Sequence, residues 1–189
     1  MSNIAKKRLF IALNLPLNCK KAISDFIISI RKKIPEIRWI SSDGLHITLH
    51  FLGELSAEKE EEIKISLQSL DSQFKEIELK IGKIGAFPSI NNPRVVYLEC
   101  GQVNGNSVEK LQKLIGINLI KTGIKIDERR WKPHITIGRI QKQTNLNLDV
   151  EIEKIKFKIK SFEIMESRLK QAGAEYREVA KYNLVSKNE

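Results

Sequence analysis

The tripeptide His-Ile-Thr occurs twice, at residues 46–48 and 134–136, in a chain of 189 residues that has only three histidines. An unperturbed imidazole titrates near pH 6.5, which makes it the natural proton carrier near neutrality. Two of them can divide the labour of a displacement. One neutral ring takes a proton from the nucleophile and one protonated ring gives a proton to the leaving group, each step worth roughly 10²- to 10⁴-fold. Side chains alternate along a strand, so His46 and Thr48 share one face while Leu45, Ile47 and Leu49 share the other. The same parity sets His134 and Thr136 opposite Pro133, Ile135 and Ile137. Threonine hydroxyls can donate to phosphate oxygens, whose charge a phosphoryl-transfer transition state must spread. The set suits in-line attack at phosphorus, with no metal and no cofactor.

Metal ligation is the rival use of histidine. By parity His46 and His50 lie on one strand face, but four residues of strand span about 13 Å. Zinc holds its nitrogens at about 2.0–2.1 Å, so the two cannot share one ion. No cysteine or acidic residue stands at ligand spacing. His50 therefore reads as packing at the strand end, or as lining the cleft without chemistry.

Each His-Ile-Thr needs a scaffold, and the same scaffold is written twice. "KRLFIALNL" reads as a strand ended by Pro16. Asn18 can cap a helix whose apolar positions Ile23, Phe26, Ile27, Ile30 and Ile34 follow helical spacing. Extended "IRWI" and the turn "SSDG" lead to the strand of His46. Ser56 caps a second helix, with Glu58, Glu60, Glu61 and Glu62 suited to its positive end, and "IELKIGKI" alternates as a strand. The pattern restarts at "RVVYLEC". Ser107 can cap a helix carrying Val108, Leu111, Ile115 and Leu119, Gly123 stands where a C-terminal cap belongs, and the strand of His134 follows. The spacing from Asn18 to His46 is nearly that from Ser107 to His134, which points to an internal duplication. The expectation is an α+β fold: one bilobal domain over residues 1–189, with two antiparallel-rich sheets facing a central groove, helices outside, and one His-x-Thr motif from each pseudo-symmetric half. "EYREVAKYNL" closes the chain as a last strand.

Composition narrows the setting. Two cysteines, Cys19 and Cys100, allow no disulfide framework. The apolar runs are far shorter than the roughly 20 residues of a membrane helix, and the first residues lack the apolar core of a secretion signal. The expectation is a cytoplasmic protein without a membrane partner. Lys and Arg number 33 against 23 Asp and Glu, a formal charge of +10, which attracts polyanions such as nucleic acid. The excess is spread along the chain. Lys154, Lys156, Lys158 and Lys160 alternate with Ile155, Phe157 and Ile159, read here as the solvated outer face of a half-buried strand.

In sequence, the chain resembles the two-histidine phosphoesterase superfamily, and within it the bacterial and archaeal RNA 2′,3′-cyclic phosphodiesterases, also called 2′-5′ RNA ligases after a reverse reaction. "RLFIALNLP" is similar to the family's opening strand, "LHITLHFLGEL" to its first motif, "IGAFPSINNPRVVYLEC" to its middle segment, "RWKPHITIGRI" to its second motif and "ESRLKQAGAEYREVAKYNL" to its closing hairpin. The resemblance implies His46 and His134 as the catalytic pair, with His134 as base and His46 as acid, and Thr48, Thr136 and Arg139 as phosphate contacts. Strand parity alone puts Arg139 on the face away from His134, so its role requires an end or bulge near Gly138. Phe51 can stack on a base, though parity groups it with Leu49 in the core. Trp39 and Arg130 flank the motif strands and can line the groove, with Trp131 the alternative to Arg130. The resemblance further implies RNA with 2′,3′-cyclic phosphate ends as partner, tRNA fragments among them, and a monomer. Two other uses of the groove stay open: hydrolysis of a different cyclic phosphate, from a small nucleotide or ADP-ribose, and nucleotide or RNA binding without turnover.

Overall fold

Nine β-strands and three α-helices carry the described residues, which are 6–141, 150–170 and 173–186 of a computed structural model. The first strand, β1 (Lys7–Asn14), is apolar from Leu9 to Leu13 because it is covered on both faces and flanked on both edges. α1 (Leu17–Ile30) follows directly, starting at Pro16, and turns Cys19, Ile23, Ile27 and Ile30 inward. Asn18 lies inside its first turn, where its side chain accepts from the Cys19 amide, so it is not the cap that the sequence suggests. Then come β2 (Ile37–Trp39), a 3₁₀ turn over "SDG", β3 (His46–Leu55) and α2 (Ala57–Gln68), which Ser56 does cap by accepting from the Lys59 amide. β4 (Ile77–Ser89), β5 (Asn92–Gln102), α3 (Ser107–Lys121) and β6 (His134–Ile140) repeat the order of strand, helix and histidine strand. Gly123, at φ +78°, turns the chain out of α3 in a conformation that side-chain-bearing residues avoid. β7 (Lys156–Ile159), β8 (Ser161–Lys170) and β9 (Gly173–Asn183) complete the described elements.

The strands form one antiparallel path in the order β7-β4-β5-β6-β3-β1-β8-β9, with β2 on β6. On either side of its middle the path is matched: β3 pairs with β1 as β6 pairs with β5. Between β3 and β6, Ile47 and Ile135 are the one registered pair, so the two groups of strands meet at a point and part beyond it. The shared core lies on the face of Ile11, Leu13, Ile47, Leu98, Ile135 and Ile159, beneath the helices. A second, small apolar cluster of Phe10, Ala12 and Met165, with Tyr176 against it, lies on the opposite face. No helix of the described residues is long and apolar enough to cross a membrane.

Candidate active site

The meeting point of the two strand groups is also where the two motifs come together. β3 and β6 run antiparallel through Ile47 and Ile135, so one step to either side sets His46 across from Thr136 and Thr48 across from His134. Ile47 and Ile135 point into the core, and the four polar side chains are half-buried on the other face.

Both rings are held in the same way. His46 Nδ1 donates to the Gly44 carbonyl at 2.8 Å and His134 Nδ1 donates to the Lys132 carbonyl at 2.7 Å. A carbonyl can only accept, so the proton of each neutral ring sits on Nδ1 and the lone pair on Nε2. In each motif the tautomer is fixed by the backbone two residues before the histidine. The acceptors are main-chain atoms, so no side chain in the sequence announces them.

A bulge follows each motif and settles two questions that parity leaves open. On β3 the register with β1 passes from Ala12↔Thr48 to Ile11↔His50, skipping Leu49. On β6 the register with β5 passes from Tyr97↔Thr136 to Val96↔Gly138, skipping Ile137. Each extra residue reverses the alternation beyond it. Arg139 is thereby returned to the face of His134 and Thr136, the bend near Gly138 that its role requires. Gly138 is confined there, since a Cβ on it would collide with Ile37 Cγ2 of the neighbouring β2. Phe51 likewise turns outward, 68% exposed, beside Phe10 at 6.3 Å, so the core position that parity gives it is corrected. The same bulge takes His50 off the face of His46 and buries it at 5% exposure, where its Nε2 donates to the Gln112 carbonyl of α3. Among the described residues no group of three or more His, Cys, Asp and Glu side chains could hold a metal ion.

Aromatic rings that sequence reading passed over enclose both histidines. Phe10 and Tyr176 lie 4.9 and 5.1 Å from the His46 ring, and Phe87 and Tyr97 lie 5.1 and 5.4 Å from the His134 ring. Phe10 and Tyr97 could have been found, because they occupy the flanking strands β1 and β5 at the parity of the motif residues. Tyr176 could not, because the pairing of β8 with β1, which brings β9 alongside, is not written locally. Burial pushes His46 down to about 4; the Gly44 carbonyl opposes this, while the charges of Lys20, His134 and Arg139 add to it. His46 is therefore neutral in the free protein at pH 7.

The remaining residues marked in the sequence separate. Arg130 is exposed in the segment before β6, while Trp131 is half-buried and donates its indole N–H to the Thr48 carbonyl at 3.0 Å. Trp39 pairs with Gly138, which pairs with the core residue Val96, so Trp39 lies on the core face and not with the histidines. Its neighbour Arg38 stands directly across from Arg139 on the histidine face.

Known proteins share this architecture. The family profile described as LigT like Phosphoesterase matches residues 16–97. An RNA 2′,3′-cyclic phosphodiesterase of Methanocaldococcus jannaschii is 35% identical over 93% of this chain and 99% of its own length, and one of Thermotoga maritima is 30% identical over 90% and 91%. Among solved structures, a Thermus thermophilus protein superimposes with a TM-score of 0.84 at 21% identity, covering 96% of this chain and all of that one. E. coli LigT in complex with 3′-AMP superimposes at 0.76 with 25% identity, covering 95% and 99%.

Proposed function

Because the chain belongs to the LigT-like phosphoesterases, the two-histidine family of its RNA 2′,3′-cyclic phosphodiesterase relatives, we propose that it hydrolyses RNA 2′,3′-cyclic phosphate ends to 2′-phosphomonoesters. The observation that carries the reading is the matched pair of imidazoles, each fixed through Nδ1 with Nε2 left for substrate, and each with a threonine and a bulge behind it. A nucleotide bound to the E. coli relative is in keeping with it.

In the reaction, a water oxygen attacks phosphorus while His134 Nε2 takes the water's proton. The bond from phosphorus to the ribose 3′-oxygen breaks, and that oxygen takes the proton held on His46 Nε2. The phosphate stays on the 2′-oxygen. Thr48 and Thr136 donate to its non-bridging oxygens, and Arg139 balances their charge. The more open ring of His134 meets water and the more buried ring of His46 meets the ribose. Since burial keeps free His46 neutral, its catalytic proton arrives with the substrate, whose phosphate charge raises the affinity of the ring for a proton. With a 5′-hydroxyl in place of water, the same displacement joins RNA through a 2′-5′ bond. Phe51, whose ring is exposed on this face, stacks on a base of the bound RNA.

The test is incubation with an oligonucleotide ending in a 2′,3′-cyclic phosphate. A 2′-phosphate product, formed equally with and without EDTA, is expected. A 3′-phosphate product, or no turnover, overturns the proposal.

A further inference from the structure

The lysines of β7 are not simply an outer face. Register carries the face of His134 outward: His134 lies across from Glu99, Gly101 follows on the same face of β5, Gly101 lies across from Lys80, and Lys80 lies across from Lys156. Lys158, across from Glu78, shares that face. The path from His134 to Lys156 crosses three strand spacings and two residues, about 16 Å along the sheet. The charge of Lys20, in the first turn of α1, is felt at the His46 ring. Pro16 and Asn18 of the same turn line a depression of ≈ 350 Å³ together with Glu78, Lys156, Phe157, Lys158 and Lys160. The face of His134 thus leads to a basic depression that the first turn of α1 also lines.

Strand pairing accounts for Lys158, which stands across from Glu78, but not for the rest of the arrangement. Lys80 and Lys156 are like charges directly across a ladder, a placement that costs stability. Lys156, Lys158 and Lys160 are exposed, and Lys160 reaches Glu76 only at 4.0 Å. The first turn of α1 holds no acidic residue, and its backbone N–H groups add to the positive field. Lysines do blunt an exposed sheet edge, but that need is met by either face and explains neither Lys80 nor the depression.

We propose that Lys80, Lys156, Lys158 and Lys160, with the first turn of α1, hold backbone phosphates of the RNA strand leading away from the cyclic-phosphate end. This inference rests on the proposed phosphodiesterase reading and extends it: the substrate is a strand, not a mononucleotide, and it is gripped without regard to base. Contacts of this kind position a strand and carry no sequence information.

The experiment compares kcat/KM for a nucleoside 2′,3′-cyclic phosphate and for an RNA of about ten nucleotides with the same end, a length within the range of single-strand sites. It uses the native protein, a Lys156→Gln/Lys158→Gln variant, and a Lys113→Gln/Lys121→Gln variant that removes equal charge from α3. The β7 variant is expected to lower the oligonucleotide-to-mononucleotide ratio roughly tenfold and to flatten the salt dependence for the oligonucleotide by about 0.7 per lysine. The α3 variant is expected to keep the native ratio. Active β7 variants with the native ratio and slope overturn the inference, as does an equal loss in the α3 variant. If the native protein turns over neither substrate, the phosphodiesterase reading fails. Anisotropy with a 2′-phosphate-ended oligonucleotide then decides the basic track alone: weaker binding by the β7 variant upholds it, and equal binding overturns it.

Discussion

The two His-Ile-Thr motifs share a backbone and differ in their surroundings. Both begin a strand, both fix Nδ1 on the carbonyl two residues back, and both are followed by a one-residue bulge. Around His46, however, lie Phe10 and Tyr176, with Ala12 and Met165 behind them and Asn14 across the ladder. Around His134 lie Phe87 and Tyr97, but the residue across the ladder is the exposed Glu99. Beyond the bulge, β3 offers Phe51 where β6 offers Arg139. The two motifs thus share their backbone geometry, while different neighbours surround the two rings. An acid and a base can then be drawn from one motif.

The comparison breaks most sharply at the rings themselves. His46→Ala and His134→Ala are each expected to lower kcat by roughly 10²- to 10⁴-fold. The double variant should fall little further, because the two rings serve one displacement. Near-native turnover in either single variant would sink the shared mechanism. Next come the residues after the bulge. Arg139→Ala removes a charged partner of the phosphate, worth about 1.5–3 kcal/mol, and should cost roughly ten- to a hundredfold in kcat/KM. Phe51→Ala loses only stacking and should act through KM, with kcat retained. Equal effects of the two would erase the distinction between the motifs.

At the bulge, the third histidine and Gly138 occupy equivalent positions and do structural work in different ways. His50→Ala leaves the Gln112 carbonyl without its donor and is expected to cost about 1–3 kcal/mol of stability. Gly138→Ala pushes a methyl into Ile37 and should cost about 1–3 kcal/mol by overpacking. Denaturant midpoints read both. A loss of activity in either, at unchanged stability, would assign these positions to chemistry.

Much of this site could be read from residues alone, because the motif is local and repeated: His46, Thr48, His134 and Thr136 stand on one strand face in both readings. Parity carried the argument only as far as each strand stayed regular. Phe51, Arg139 and His50 lie beyond bulges, and the extra residues Leu49 and Ile137 are ordinary apolar residues that nothing in composition marks. Gly138 was the one visible sign, and it pointed to the right place for Arg139. Trp39 was lost for another reason. Its partner is Gly138 on the core face, a contact set by the pairing of β2 with β6 and not by anything near Trp39 in the chain. Asn18 failed as a cap because Pro16 already starts α1 two residues earlier.

The finest distinction between the motifs is the protonation of His46. Burial among Phe10 and Tyr176 is the largest cause of its depression to about 4. Removing the ring of Tyr176 admits water, so Tyr176→Ala should raise the value towards 6.5, as followed by NMR titration of the imidazole. The sign for stability follows from the same shift. An unfolded His46 binds a proton below pH 6.5 and the folded one only near 4. Folding is therefore favoured as pH rises through that window, and Tyr176→Ala should flatten that part of the slope. In the native protein, inorganic phosphate bound beside His46 should draw a proton onto it. Calorimetry near pH 6 in buffers of different ionisation enthalpy should then record net proton uptake, and His46→Ala should abolish the share due to this ring. Uptake unchanged in that variant would place the proton elsewhere and remove the inequality between the rings.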